Sequence, residues 1–290
     1  MPWYRMADME LNCEGCAGCC LDWRPLAPDG VALDHERQGR FVPLDDAYNL
    51  VPLSSDEVRG FVRDGFGDAM TPRLFEAAER SVAVDGHDLA AVEGRPAFLV
   101  GLRTAPKPVA PFGTDASWLP ACVFLDPETL QCRIHGGERY PDACARYPAD
   151  NLALDAGTEC ERAEAATGGD RLLDDDPEGA DPLSGAGALG ATVFAHPAPD
   201  RLEGRVERVV AGEPTPADRA EFIAVAAASR PGTLEIDAGR HEAARERVLE
   251  ADSWVGRAAD AWAERAGGDA DPAAGALEER RGAPPTPGWD

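Results

Sequence analysis

Residues 12–20 read Asn12-Cys13-Glu14-Gly15-Cys16-Ala17-Gly18-Cys19-Cys20, and this run governs how the rest of the chain is read. Two thiols separated by two residues can chelate one metal if the backbone turns back between them. Gly15 and Gly18 sit inside the two intervals and permit that turn. Cys19 and Cys20 are adjacent, so their side chains diverge, and one of them is left to face a second metal, a second site or the core. Four more cysteines, Cys122, Cys132, Cys144 and Cys160, follow after a gap of about a hundred residues, and none comes later. Eight thiols admit two four-thiolate sites or one cluster with spare thiols. Zinc and iron–sulfur both fit, since thiolate is a strong ligand for each.

The 290-residue chain carries a formal charge of −25 and a single lysine, Lys107. Nucleic acid is excluded as a partner, because phosphate backbones need a basic face. Acidic residues are spread through both halves, which describes a solvated surface and not an acidic tail. An acid-rich, lysine-poor composition is that of a halophilic protein, whose dense charge is screened in a high-salt cytoplasm. No stretch approaches the ~18 apolar residues of a membrane span, and the first ten residues lack a signal-peptide core. A cytoplasmic protein with no membrane partner is expected. Thiols stay reduced there, and a cysteine array signals metal and not disulfides.

Residues 1–165 hold every cysteine and are expected to form a metal-binding domain. Between the two cysteine groups, Ser54 and Glu57 make a capping box ahead of Val58, Phe61 and Val62 at helical spacing. Thr71-Pro72 reads as the start of a second helix carrying Leu74, Phe75 and Ala78. Ala97–Leu102 is a strand candidate. Cys122–Leu125 with the turn residues Asp126-Pro127-Glu128-Thr129 suggests a hairpin that places Cys122 on one arm and Cys132 on the other. Pro141-Asp142 opens a helical turn presenting Cys144, and Pro148 stops it.

Residues 166–190 read as an acidic, glycine-rich linker and 191–266 as a helical segment. In the latter, one helix starts at Thr215-Pro216. A longer one runs from about Ile236 to Ala266, with Ala244, Val248, Ala251, Val255, Ala258 and Trp262 as its apolar seam. Gly256 costs this helix about 1 kcal/mol. Residues 267–290 read as a disordered tail. The expected fold is therefore α+β but mainly α: an irregular cysteine-rich metal-binding domain with short strands, then a C-terminal helical segment.

A thiolate site carries surplus negative charge. Arg133, Arg139, Arg146 and Arg162 lie among the later cysteines, and they read either as hydrogen-bond donors to sulfur or as ordinary surface arginines. His135, three residues after Cys132, reads as a supporting or surface group. His35, His87, His196 and His241 read as non-functional, and Asp174–Asp176 as a solvated run. No P-loop, G-x-S-x-G elbow or H-E-x-x-H helix is present, and no G-x-G-x-x-G fingerprint follows a strand. Catalytic and organic-cofactor residues cannot be named from the residues alone.

Cys13-x2-Cys16-x2-Cys19-Cys20, Cys122-Val-Phe-Leu-Asp126, Cys132-Arg-Ile134 and Pro141-x-x-Cys144-x-x-Tyr147-Pro148 together resemble a known family. It is that of the zinc- or iron-chelating cysteine-cluster proteins of the YkgJ type, relatives of the flagellin lysine N-methylases. The resemblance spans roughly residues 12–160. It departs where His135 stands for an aromatic, where Tyr140 stands for an arginine, and in a longer loop between Cys132 and Cys144. It implies metal chelation, with a metal ion or cluster (zinc or iron–sulfur) as the bound partner. Two alternatives accompany it: an S-adenosylmethionine-dependent protein lysine methyltransferase, by analogy with those relatives, and an iron–sulfur redox protein. The metal ligands expected are Cys13, Cys16, Cys19, Cys20, Cys122, Cys132, Cys144 and Cys160.

Overall fold

The computed structural model describes residues 11–31, 33, 42–153, 155–172, 187–271 and 276–287. His35, Asp174–Asp176 and most of the expected linker lie outside these residues. The strands are β1 (Val42–Pro43), β2 (Met70–Glu76), β3 (Ser81–Val84), β4 (His87–Val92), β5 (Arg95–Leu102), β6 (Thr104–Val109), β7 (Ser117–Cys122) and β8 (Phe194–Ala195). The first helices are α1 (Ser55–Arg63), α2 (Asp142–Ala145), α3 (Ala149–Ala153), α4 (Glu159–Thr167) and α5 (Val206–Val210). Beyond them come α6 (Pro216–Ala228), α7 (Ala238–Leu249), α8 (Trp254–Ala263) and α9 (Ala276–Arg280). No helix among the described residues is long and apolar enough to cross a membrane.

The chain forms two compact units, each assembled from separated segments: residues 1–36, 104–183 and 257–290 in one, 37–103 and 184–256 in the other. This differs from the expected succession of a 1–165 domain, a linker and a helical segment. The expected mainly α, irregular metal-binding fold is also corrected. The chain is a mixed α+β protein with a curled antiparallel sheet, and among the described residues no cysteine-rich group is arranged to hold a metal.

The unit of residues 37–103 and 184–256 is built on that sheet. Asp85-Gly86 and Glu93-Gly94 all have positive φ, so they make two-residue turns that pair Val84 with His87 and Val92 with Arg95. Strand β2 then pairs with β5 from Met70↔Leu102 to Leu74↔Phe98, and with β4 at Glu76↔Leu89, which curls the sheet. Thr71-Pro72 therefore lies in a strand and not at a helix start. Met70, Pro72 and Leu74 alternate inward with the period of two that a strand requires. Proline fits because its partner Val100 gives its carbonyl to Leu53 N–H at 2.8 Å, and no bond from Pro72 is needed.

Helix α1 begins as its capping box predicts: Glu57 N–H donates to Ser54 Oγ, and Ser54 N–H donates to the Glu57 carboxylate. Helix α6, begun by Thr215-Pro216, packs against α1 and α7 and brings Phe222 edge-on to Phe98 at 5.0 Å between ring centres. Both rings are fully buried, and each contributes about 1.5–3 kcal/mol. The expected long helix is two helices. Ser253 ends the stretch between α7 and α8, its N–H and hydroxyl donating to the Asp68 carboxylate at 2.9 and 2.6 Å, while Gly256 N–H donates back to Ser253 Oγ at 3.2 Å.

The other unit is organised by the β6–β7 hairpin, paired from Thr104↔Cys122 to Val109↔Ser117. The segment expected to be a disordered tail contains α9, where Leu277 and Glu278 are buried. Glu278 anchors it. Its two oxygens accept from Lys107 Nζ at 2.7 Å, Arg133 Nε at 2.8 Å and Trp262 Nε1 at 3.0 Å.

Candidate functional site

All eight cysteines lie in the unit organised by the hairpin. The first four are shaped by tight turns. Gly15 is left-handed as its sequence position suggests (φ 63°), and Cys16 N–H donates to the Cys13 carbonyl at 3.2 Å. The other left-handed residue is Ala17 (φ 54°), not Gly18. Gly18 is buried, and its N–H donates to Cys16 Sγ at 3.4 Å. It opens the single 3₁₀ turn that carries Cys19 and Cys20, whose sulfurs stand 3.7 Å apart.

Two long-range connections bring the later cysteines to this turn. Trp23 is fully buried, edge-on to Phe112 at 5.2 Å, and its indole N–H donates to Glu159 Oε2 at 2.8 Å. Glu159 opens α4, whose start is set by the capping box between Thr158 and Glu161, and Cys160 is the next residue. The second connection is the antiparallel bridge Leu21↔Ala121, supported by Asp22 N–H donating to the Pro120 carbonyl at 2.8 Å. In that register Cys20 stands opposite Cys122. Asp126 then closes a turn by accepting from Glu128 N–H at 3.0 Å, and Cys132 bridges back to Leu125. Cys122 itself ends β7, and a turn in which Leu125 N–H donates to the Cys122 carbonyl at 2.9 Å separates it from that bridge. The expected hairpin is thus reduced to a single bridge that Cys122 does not join. Cys144 lies in α2, held by its N–H donating to the Pro141 carbonyl at 2.9 Å.

The thiols also act on one another through their charge. Burial pushes Cys13 up to about 11, with Cys19 and Cys16 adding to it. It also raises Cys160, helped by Cys19, Cys13 and Cys16. Burial pushes Cys132 up to about 12, with Cys122 and Cys19 contributing. The shared hydrogen bond raises Cys20 and lowers Cys19, and burial with the nearby Cys122 and Cys144 raises Cys20 further. Two electrostatic neighbourhoods follow from these influences: Cys13, Cys16 and Cys160 in one, and Cys20, Cys122, Cys132 and Cys144 in the other, with Cys19 felt by both.

Three of the four arginines among the later cysteines have carboxylate partners. Arg133 pairs with Glu278 and Asp126, Arg146 with Asp150, and Arg162 with Glu159. Lys107 lowers Cys122 and Cys132, and Arg171 lowers Cys13 and Cys16, each against the larger effect of burial. Sequence reading missed both. Lys107 had one usable signal, being the chain's only lysine in a strand of prolines and apolar residues. His135 lies edge-on to Tyr140 at 4.9 Å. Burial raises the Tyr140 hydroxyl, with Cys144 and Cys132 among its neighbours.

Among the described residues, no three His, Cys, Asp or Glu side chains stand together as a group that could hold a metal ion. The donor set fits zinc or iron–sulfur in kind, since it consists of eight thiols gathered from distant segments. Cys13, Cys16, Cys20, Cys122, Cys132 and Cys160 are pushed towards the thiol form while the exposed Cys19 is lowered, and a bound cation would favour the thiolate form.

A model of a family of unknown function, DUF7531, matches residues 9–290, and the chain belongs to that family. Comparison with curated proteins and with solved structures finds no match.

Proposed function

We propose that this member of the DUF7531 family is a metal-chelating protein whose cysteines take zinc or an iron–sulfur cluster. The observation that carries the reading is the Leu21↔Ala121 bridge, which sets Cys20 opposite Cys122 across about a hundred residues of sequence. Cys13, Cys16, Cys19 and Cys160 would serve one neighbourhood and Cys20, Cys122, Cys132 and Cys144 the other. When bound, the metal would cross-link the 12–20 turn to the end of β7, to α2 and to α4. The thiols must draw closer on loading, so chelation is coupled to local rearrangement. A reducing compartment such as the cytoplasm suits eight free thiols. The resemblance to the YkgJ-type proteins supports the reading through the residues quoted for it.

Anaerobic purification followed by elemental analysis and a visible absorption spectrum tests this. Zinc or iron retained on the chain is the expected result, colourless for zinc and brown for a cluster. A folded, fully reduced chain that holds neither, and takes up neither Zn(II) nor iron with sulfide, would overturn it.

A further inference from the structure

A cleft of about 620 Å³ opens within the unit of residues 37–103 and 184–256, and no cysteine lines it. Its lining includes Arg59, Arg95, Arg230 and Arg240, with Leu234 and Ile236 as apolar wall. In a chain of net charge −25, four guanidinium groups around one cavity run against the overall field. Their partners matter more than their number. Arg95 donates to the Leu234 carbonyl at 2.7 Å. Arg59 donates to the carbonyls of Ala227 and Ser229 at 2.8 and 2.5 Å, where α6 ends. A bond to a neutral carbonyl fixes the planar fork without cancelling its charge, whereas a carboxylate would do both.

Carboxylates are present, but they are already engaged or exposed. Asp237 caps α7 by accepting from Arg240 N–H at 2.9 Å. Glu235 pairs with Arg230, both side chains about two-thirds exposed, and such a pair contributes little. Asp56, which meets Arg59, is 86% exposed. The lining thus holds four positive charges, those of Arg59 and Arg95 fixed by carbonyls, against the two carboxylates Glu235 and Asp237. The volume falls in the range of small-molecule sites, roughly 300–1,000 Å³.

We propose that this cleft binds a multiply charged organic anion, a phosphorylated or polycarboxylic small molecule. Arg95 and Arg59 act as preset forks, Arg240 closes on the ligand, and Leu234 and Ile236 meet its carbon skeleton. This binding is separate from metal chelation and requires no thiol.

Titration calorimetry of the full chain with pyrophosphate and with citrate tests the proposal and separates the two chemistries. Saturable one-to-one binding of at least one probe, tighter than about 1 mM, is expected. Arg240→Glu should weaken it about tenfold or more, and because the Arg240 charge also acts on the Asp237 cap of α7, Arg240→Gln should weaken it too, with the fold of each variant checked by its melting temperature. Arg95→Gln should weaken it as well. If neither probe binds up to about 10 mM, or if binding survives all these substitutions unchanged, the proposal fails.

Discussion

Asp218 shows how one residue can fix a helix start and tie down two arginines. Its side chain is fully buried, and it accepts from Arg208 Nε at 2.6 Å, Arg205 at 2.8 Å and Thr215 Oγ1 at 2.7 Å. Burial alone would raise its carboxyl, but the hydrogen bonds from Arg208, Thr215 and Arg205 outweigh it and hold Asp218 well below the usual carboxylate range. A depressed pKa in the folded state means that the stabilisation is complete above the unfolded value of about 3.9 and is lost as pH falls through the folded value. Asp218→Asn should therefore cost about 2 kcal/mol at neutral pH. In chemical denaturation the gap between variant and parent should narrow below pH 4, and a gap that stays constant down to pH 2 would contradict the assignment.

At the scale of elements, the join between α7 and α8 explains a glycine that local propensity alone counts as a cost. A Cβ on Gly256 would lie 2.2 Å from Asp68 Oδ2, and that carboxylate is held in place by its two bonds from Ser253. Gly256→Ala gains about 1 kcal/mol of helix propensity but must displace the cap, so a net loss of about 1–3 kcal/mol is expected. In the Asp68→Ala background the same substitution should become neutral or stabilising, and equal losses in both backgrounds would exclude this coupling. Elements of this size were legible in the sequence wherever the signal was local. Ser54-Glu57, Thr215-Pro216 and the turn at Asp126 announced themselves through their own side chains. Asp85-Gly86 was equally local and went unread, and with it the β3–β4 hairpin. Strand β2 was misread because Thr71-Pro72 is also good helix-start chemistry, and only the pairing to β5 decides between the two. The gathering of the cysteines depends on the Leu21↔Ala121 pairing and on the Trp23–Glu159 bond, and no spacing along the chain encodes either.

For the whole molecule the dominant quantity is the charge of −25. Basic groups are consumed by specific pairings: Arg205 and Arg208 on Asp218, Arg133 on Glu278, Arg201 on Glu221. The remaining acidic surface repels itself at low ionic strength, where the Debye length is ~10 Å at 0.1 M, and the repulsion falls as that length shrinks to ~3 Å at 1 M. The melting temperature should rise by several degrees between about 0.1 and 1 M sodium chloride. A flat or falling dependence would mean that surface repulsion is not what limits stability.

Lys107 is the chain's only lysine, and its ammonium group is shut inside, donating to the carbonyls of Val123 and Leu125 and to Glu278. The folded surface of the described residues consequently presents no side-chain amine at all. Enzymes and reagents that acylate, methylate or ubiquitinate lysine have no substrate on it until the hairpin and α9 come apart. Any mark found on Lys107 would record that the chain had opened, which makes this residue a built-in witness to unfolding.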